Sequence, residues 1–230
     1  MRTKILTLAS LAVILAGCCD TKPAIEKDAE VEKKVSEIVS KMTLEEKVGQ
    51  MIQINWNILA QPGTTTLSDE GREIIKKYKI GSSLNCITDS AASPELYRAF
   101  IQEIQDEADI PVLYGLDQIH GASYIEGTVL FPQEIAVAAS FNTDIAYQTG
   151  RVAAYETRAA GVPWVFTPTL DLSRNQCWPR IWESFGEDPI VQAKMGVALT
   201  KGFQGDDPNH IDSEHVAACI KHYMAYGASV

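Results

Sequence analysis

The segment Gly115-Leu116-Asp117-Gln118-Ile119-His120-Gly121 puts a carboxylate and an imidazole just past an apolar run. A carboxylate there can accept hydrogen bonds from two vicinal hydroxyls, or it can cap the segment that follows. The local sequence leaves both open. Between Asp171 and Asp188 a loop-like stretch sets Trp178 and Trp182 beside Arg174, Arg180 and several acids. Sugars present apolar C–H faces and rings of hydroxyls, which suits aromatic rings next to guanidinium and carboxylate groups. Arg and Glu in such a loop can also pair with one another, and the two roles are compatible. Lys221-His222 closes a third apolar run. Successive strand residues face opposite sides, but at a strand's end the turn into the loop can aim both the same way. The apolar Tyr223-Met224 that follows speaks against a merely solvated strand end. Other chemistries lack their motifs: there is no G-x-S-x-G elbow, H-E-x-x-H helix or EF-hand loop. His210 and His215 lie with Asp212 and Glu214 in a polar stretch, read as a solvated surface loop and not as a metal site.

These residues need elements to carry them. From Val31 to Met51 apolar positions recur with a period near 3.6, predicting a helix broken or re-capped around Thr43-Leu44-Glu45-Glu46. Met51–Ile54 and Ile80–Asn85 predict short strands on either side of a helix at Asp69–Tyr78. Ser93-Pro94 is a strong helix start, and the helix fills to Glu107. Pro111–Asp117 reads as a buried strand, Gln133–Ala139 and Asp144–Gly161 as helices, and Trp164–Asp171 as a strand. A helix at Pro189–Gly202 and a fifth strand at Val216–His222 complete the series. Strands alternating with helices predict a parallel α/β architecture. Asn55, Asn85, Asp117, Asp171 and Lys221-His222 all fall at or just past C-terminal strand ends, the rim that carries the active site in (β/α)8 barrels. The rival, a doubly wound sheet, would usually show a Gly-rich phosphate turn, and none is present. The expected fold is therefore α/β, a (β/α)8 TIM-type barrel with about five of its eight strands in this chain. Because a five-strand arc leaves an open edge, the chain is read as a fragment.

The chain carries 20 Lys and Arg against 30 Asp and Glu, a formal charge of −10. Such an acidic chain repels phosphate backbones, so no nucleic-acid partner is expected, whereas a neutral ligand is unaffected. Residues 1–17 read as a signal peptide: Arg2 and Lys4 precede an apolar run, Ile5–Ala16, too short to span a bilayer. The run ends in Leu15-Ala16-Gly17-Cys18, which resembles a bacterial lipobox with Cys18 as the lipidated first residue. Loss of residues 1–17 removes Arg2 and Lys4, taking the charge to −12 (18 minus 30). Acyl chains on Cys18 would hold the protein at a membrane, each buried CH2 adding about 0.8 kcal/mol. Residues 18–30 are then a polar tether and 31–230 the partial barrel domain. Cys19, Cys86, Cys177 and Cys219 are too scattered for a zinc site or a disulfide scaffold. Cys86 and Cys219 are expected as isolated buried thiols.

In order along the chain stand Lys47-Val48-Gly49-Gln50-Met51, Tyr114 to Gly121, and Leu130-Phe131-Pro132-Gln133-Glu134. Trp178-Pro179-Arg180 through Pro189, Gly202-Phe203-Gln204-Gly205 and Lys221-His222-Tyr223 follow. Together these blocks resemble the N-terminal barrel of glycoside hydrolase family 3, from about Val31 onward. The resemblance implies that Asp117, Arg180, Lys221 and His222 grip the sugar whose bond is cleaved, and that the reaction is retaining hydrolysis of terminal β-glucosyl residues. It implies that the nucleophile and the acid/base lie beyond residue 230, so no catalytic residue is assigned within the chain. No cofactor or metal is implied. Two departures bear on specificity. Pro179 replaces the family's common Gly and restricts both itself and its neighbour, a variant resembling lipid-anchored β-glucosidases of gut-type Bacteroidota. Lys221 to Gly227 lacks the second His of the N-acetylglucosaminidase branch, which favours a glucosidase or exo-glucanase. A β-xylosidase or β-N-acetylhexosaminidase of the same family, and a non-catalytic sugar-binding lipoprotein, are the alternatives. The expected substrate is a β-linked glucosyl oligosaccharide, and the expected location a Gram-negative cell envelope.

Overall fold

Most helix starts among the described residues are set by side chains that close on nearby backbone. In the computed structural model, which describes residues 27–228, the chain divides at Glu37/Ile38. In the first unit, Asp28 accepts the amide hydrogens of Glu30 and Val31 where helix α1 (Ala29–Lys41) opens. Ala29 and Glu30, expected at the end of the tether, are thus already helical, while the signal peptide and Cys18 lie outside the described residues. In the second unit, Thr43 and Glu46 form the expected reciprocal capping box on α2 (Leu44–Gln50). Two of the backbone N–H groups left unpaired at a helix start are satisfied in this way.

Strands β1 (Gln53–Asn55), β2 (Ser82–Leu84), β3 (Leu113–Leu116), β4 (Trp164–Val165) and β5 (Ala217–Ala218) make one parallel sheet in the order β1-β2-β3-β4-β5. Between them run α3 (Trp56–Leu59), α4 (Asp69–Tyr78), α5 (Pro94–Glu107), α6 (Glu134–Ala138), α7 (Thr143–Ala159) and α8 (Pro189–Gln204). A doubly wound sheet needs a point where strand order reverses. Here the order never reverses, so the sheet is an arc of a barrel, incomplete among the described residues.

The last two strands are shorter than their apolar runs. Regular pairing stops at Val165 and Ala218. The two segments stay joined beyond that point by uneven bonds: Cys219 N to Thr167 O at 3.0 Å, Lys221 N to Pro168 O at 3.1 Å and Leu170 N to Lys221 O at 2.7 Å. This loosened pairing carries Asp171, Lys221 and His222.

Two apolar clusters flank the sheet. In one, Tyr97, Phe100 and Ile104 of α5 pack on Tyr114 and Leu116 of β3, with Phe100 and Tyr114 edge to face at 6.4 Å. In the other, the Ala-rich face of α7 meets Met195, Leu199 and Phe203 of α8. The two helices approach so closely that a Cβ on Gly202 would stand 2.2 Å from the carbonyl oxygen of Tyr147. Three expectations are corrected here. Cys86 and Cys219 are half-buried and not buried. Tyr223 and Met224, whose apolar character spoke against a solvated strand end, are both exposed, Tyr223 at 94%. They lie beyond the last ladder pair, where no strand partner covers them among the described residues.

Candidate functional site

Asp117 follows β3 directly, and the end of the β5 segment brings Lys221 to it across 104 positions of sequence, with Nζ 2.5 Å from Oδ1. The Lys221 side chain is 11% exposed and that of Asp117 43%. The ammonium is therefore held beneath a carboxylate that still faces water. A carboxylate has about four lone-pair sites, so one bond to Lys221 leaves capacity for ligand hydroxyls.

Arg180 comes from the 171–188 loop. Its Nε donates to Glu183 Oε1 at 2.8 Å and its Nη2 to Glu183 Oε2, a two-pronged fork whose acid is 9% exposed. Glu183 holds the guanidinium above its usual range against the opposing effect of burial. The arginine and acid of this loop do pair, as the sequence allowed. Nη1 remains, and it stands 3.2 Å from His222 Nε2. The Tyr226 ring packs edge-on to both the His222 imidazole, at 4.9 Å, and Trp178, at 5.6 Å. Trp178 is fully buried and supports the loop from within. It is not the open sugar platform that the sequence suggested, whereas Trp182 is exposed.

On the other side of the imidazole, Asp171 Oδ2 lies 2.8 Å from His222 Nδ1 and accepts the His222 backbone N–H at 3.1 Å. The Lys221–His222 peptide bond is cis. Lys221 meets Asp117, while His222 meets Asp171 and Arg180. His120 turns away from this group, its Nδ1 lying 3.1 Å from the carbonyl oxygen of Phe131.

The sequence reading placed Glu134 in a family-like block but gave it no role. It is buried at the first turn of α6, accepting Thr167 Oγ1 at 3.0 Å and the amide of Thr169 at 3.3 Å. Burial pushes its carboxyl well above the ordinary range, against the hydrogen bonds and the charge of Lys221. The available signal was an acid at a helix start between apolar Phe131 and Ile135. It braces the Thr167–Thr169 stretch, whose middle residue Pro168 accepts the Lys221 amide at its carbonyl oxygen.

A cavity of about 630 Å3 borders this group, lined by Asp171, Lys221, His222 and the Tyr223–Ala225 stretch. Asp117 and Arg180 are not part of its wall, so the polar cluster, and not the cavity, defines the site. The cavity falls within the range of about 300–1,000 Å3 usual for small-molecule sites. Two cations, an accessible carboxylate and an imidazole can together read a ring of hydroxyls by charge-assisted hydrogen bonds. Among the described residues no cluster of three or more His, Cys, Asp or Glu could hold a metal, the His210–His215 stretch included.

The chain has relatives among known proteins. It is 35% identical over 209 residues to a lysosomal beta glucosidase of Dictyostelium discoideum, covering 84% of this chain and 26% of that protein. A beta-xylosidase of Formosa agariphila is 28% identical over 204 residues, covering 86% of this chain and 22% of that protein. Among solved structures, an exo-1,3/1,4-beta-glucanase from a Pseudoalteromonas species superimposes with a TM-score of 0.77 at 29% identity, over 90% of this chain and 34% of that one. The chain thus spans about a quarter of the length of the curated relatives it matches. Residues 43–230 match the glycosyl hydrolase family 3 N terminal domain, and the chain belongs to that family.

Proposed function

We propose that this chain is the sugar-gripping part of an exo-acting, retaining β-glucosidase that releases terminal β-glucosyl residues from β-glucosides or β-glucan oligosaccharides. The observation that carries the reading is the meeting of Asp117 with Lys221 and of Arg180 with His222 at one strand-end rim. In this reading the four side chains hold the hydroxyls of the sugar whose bond is cut. Contacts that tighten as the ring flattens in the transition state raise the rate as well as the affinity. Retaining hydrolysis needs two carboxyl groups roughly 5–5.5 Å apart, one attacking the anomeric carbon and one protonating the leaving oxygen. We assign both to sequence following residue 230.

A second reading, a β-xylosidase, is favoured by the Formosa agariphila relative. A β-N-acetylhexosaminidase has less support, because Lys221 to Gly227 carries one histidine and not two. A panel of 4-nitrophenyl β-glycosides presented to the full-length protein separates these. Preference for the glucoside by at least tenfold in kcat/KM is expected, and equal or better turnover of the xyloside or N-acetylglucosaminide would overturn the glucosidase reading. No turnover of any of them would leave a sugar-binding lipoprotein. The protein sits, in this proposal, on a Gram-negative envelope membrane through Cys18, a reading supported by the lipobox-like Leu15-Ala16-Gly17-Cys18. Cys18→Ala should then abolish incorporation of labelled palmitate and release the protein from the membrane fraction.

A further inference from the structure

The imidazole of His222 stands between a group that can only accept and a group that can only donate. Asp171 Oδ2 is 2.8 Å from Nδ1, and Asp171 is only 5% exposed. An ionised carboxylate accepts and does not donate, so the hydrogen of this bond belongs to Nδ1. Arg180 Nη1 is 3.2 Å from Nε2. A guanidinium has five N–H donors and no acceptor, so Nε2 must be the bare nitrogen. Two independent partners thus impose the same state. The bond at one ring nitrogen decides what the other can do. Neither partner is loose: Asp171 also takes the His222 backbone N–H at 3.1 Å, and Arg180 is fixed by the two-pronged contact with Glu183.

We propose that Asp171 is a positioning residue that fixes His222 in its Nδ1–H form, so that Nε2 accepts from Arg180 Nη1 and holds the guanidinium in place at the site. Resting on the sugar-site reading above, this sorts the polar cluster by polarity. Lys221 and Arg180 supply donors only, Asp117 supplies acceptors, and the lone pair of His222 Nε2 is taken by Arg180. Histidine free in water favours the opposite form, with the hydrogen on Nε2, and in that form the ring would turn an N–H toward the N–H of Arg180.

The test uses full-length protein labelled with 15N-histidine, with His222 assigned by the resonances lost in His222→Gln. Long-range 1H–15N correlation should show a protonated Nδ1 and an unprotonated Nε2 at His222 in the unsubstituted protein. A His222 with the hydrogen on Nε2 overturns the proposal, and this measurement needs no destabilising variant. Asp171→Ala should move the hydrogen to Nε2 and lower kcat/KM for an aryl β-glucoside at least tenfold. Asp171→Asn, which keeps an acceptor oxygen, should retain the Nδ1–H pattern and lose less than about threefold. An Asp171→Ala protein that folds and keeps the Nδ1–H pattern would also overturn it. The spectrum does not depend on turnover. A protein with the expected pattern and no glycosidase activity refutes the enzyme reading alone, and an active one with the Nε2–H pattern refutes this inference alone.

Discussion

Replacing Lys221 by Met keeps the straight chain and most of its volume while removing the ammonium that meets Asp117 at 2.5 Å. Two effects compete, one on stability and one on function. Asp117 is 43% exposed, so water replaces the lost partner and the carboxylate is not stranded. A part-exposed ion pair of this kind contributes about 0–1 kcal/mol to folding. The urea midpoint should therefore move little. Hydrogen bonds to a charged group contribute more, about 1.5–3 kcal/mol. If Lys221 donates to a sugar hydroxyl in the transition state, kcat/KM should fall by roughly 10- to 150-fold, since each 1.4 kcal/mol is about tenfold. Asp117→Asn removes charge but keeps an acceptor for the ammonium, so its loss should lie at the lower end of that range. Because the two side chains touch, their effects should not add, and the double variant should lose at least about 0.5 kcal/mol less than the sum. The measurements are initial rates on 4-nitrophenyl β-D-glucopyranoside with the full-length protein, alongside urea unfolding of each variant. Losses below threefold in both single variants, with unfolding midpoints unchanged, would refute the placement of Asp117 and Lys221 against the sugar.

Gly202→Ala should destabilise despite the better helix propensity of alanine. The gain is about 1 kcal/mol, but the new Cβ would lie 2.2 Å from the Tyr147 carbonyl oxygen and 3.0 Å from Gly150 Cα. Forcing α7 and α8 apart costs about 1–3 kcal/mol, so thermal unfolding should show a lower Tm, and a raised one would contradict the close crossing. Glu134 gives a pH dependence. Its carboxyl is raised by burial, so the folded state holds the proton more tightly than the unfolded chain. That contribution is complete below the ordinary carboxylate value of 4.5 and is lost as pH rises through the raised folded value. Glu134→Gln, which cannot ionise, should therefore lose less stability than the unsubstituted protein between pH 4.5 and pH 8 in urea titrations, and parallel pH profiles would be incompatible with a buried, raised carboxyl. Thr43→Ala removes one half of the capping box on α2. It should cost about 1 kcal/mol, seen as faster amide hydrogen exchange at Glu46.

What could be read from the sequence is what neighbours in the chain decide for themselves. Thr43 and Glu46 cap each other three residues apart, and Ser93-Pro94 opens α5 where it was expected. Apolar runs alternating with helical periods gave the parallel α/β class, and the polar residues at their ends marked the rim that bears Asp117 and Lys221. Strand length was decided elsewhere. The runs Trp164–Asp171 and Val216–His222 look uniform, but ladder register depends on which amide faces which carbonyl, and the regular pairs end at Val165 and Ala218. Burial of Trp178 and exposure of Tyr223 likewise depend on what packs against them, and both rings look alike in a linear pattern. The partners within the site are longer-range still. Asp171 and His222 are 51 positions apart, Arg180 and His222 42, and Glu134 and Thr167 33. No local propensity encodes such pairings. They exist because consecutive parallel strands bring their C-terminal ends to one rim, where a buried charge is stable only if the fold supplies its counterpart.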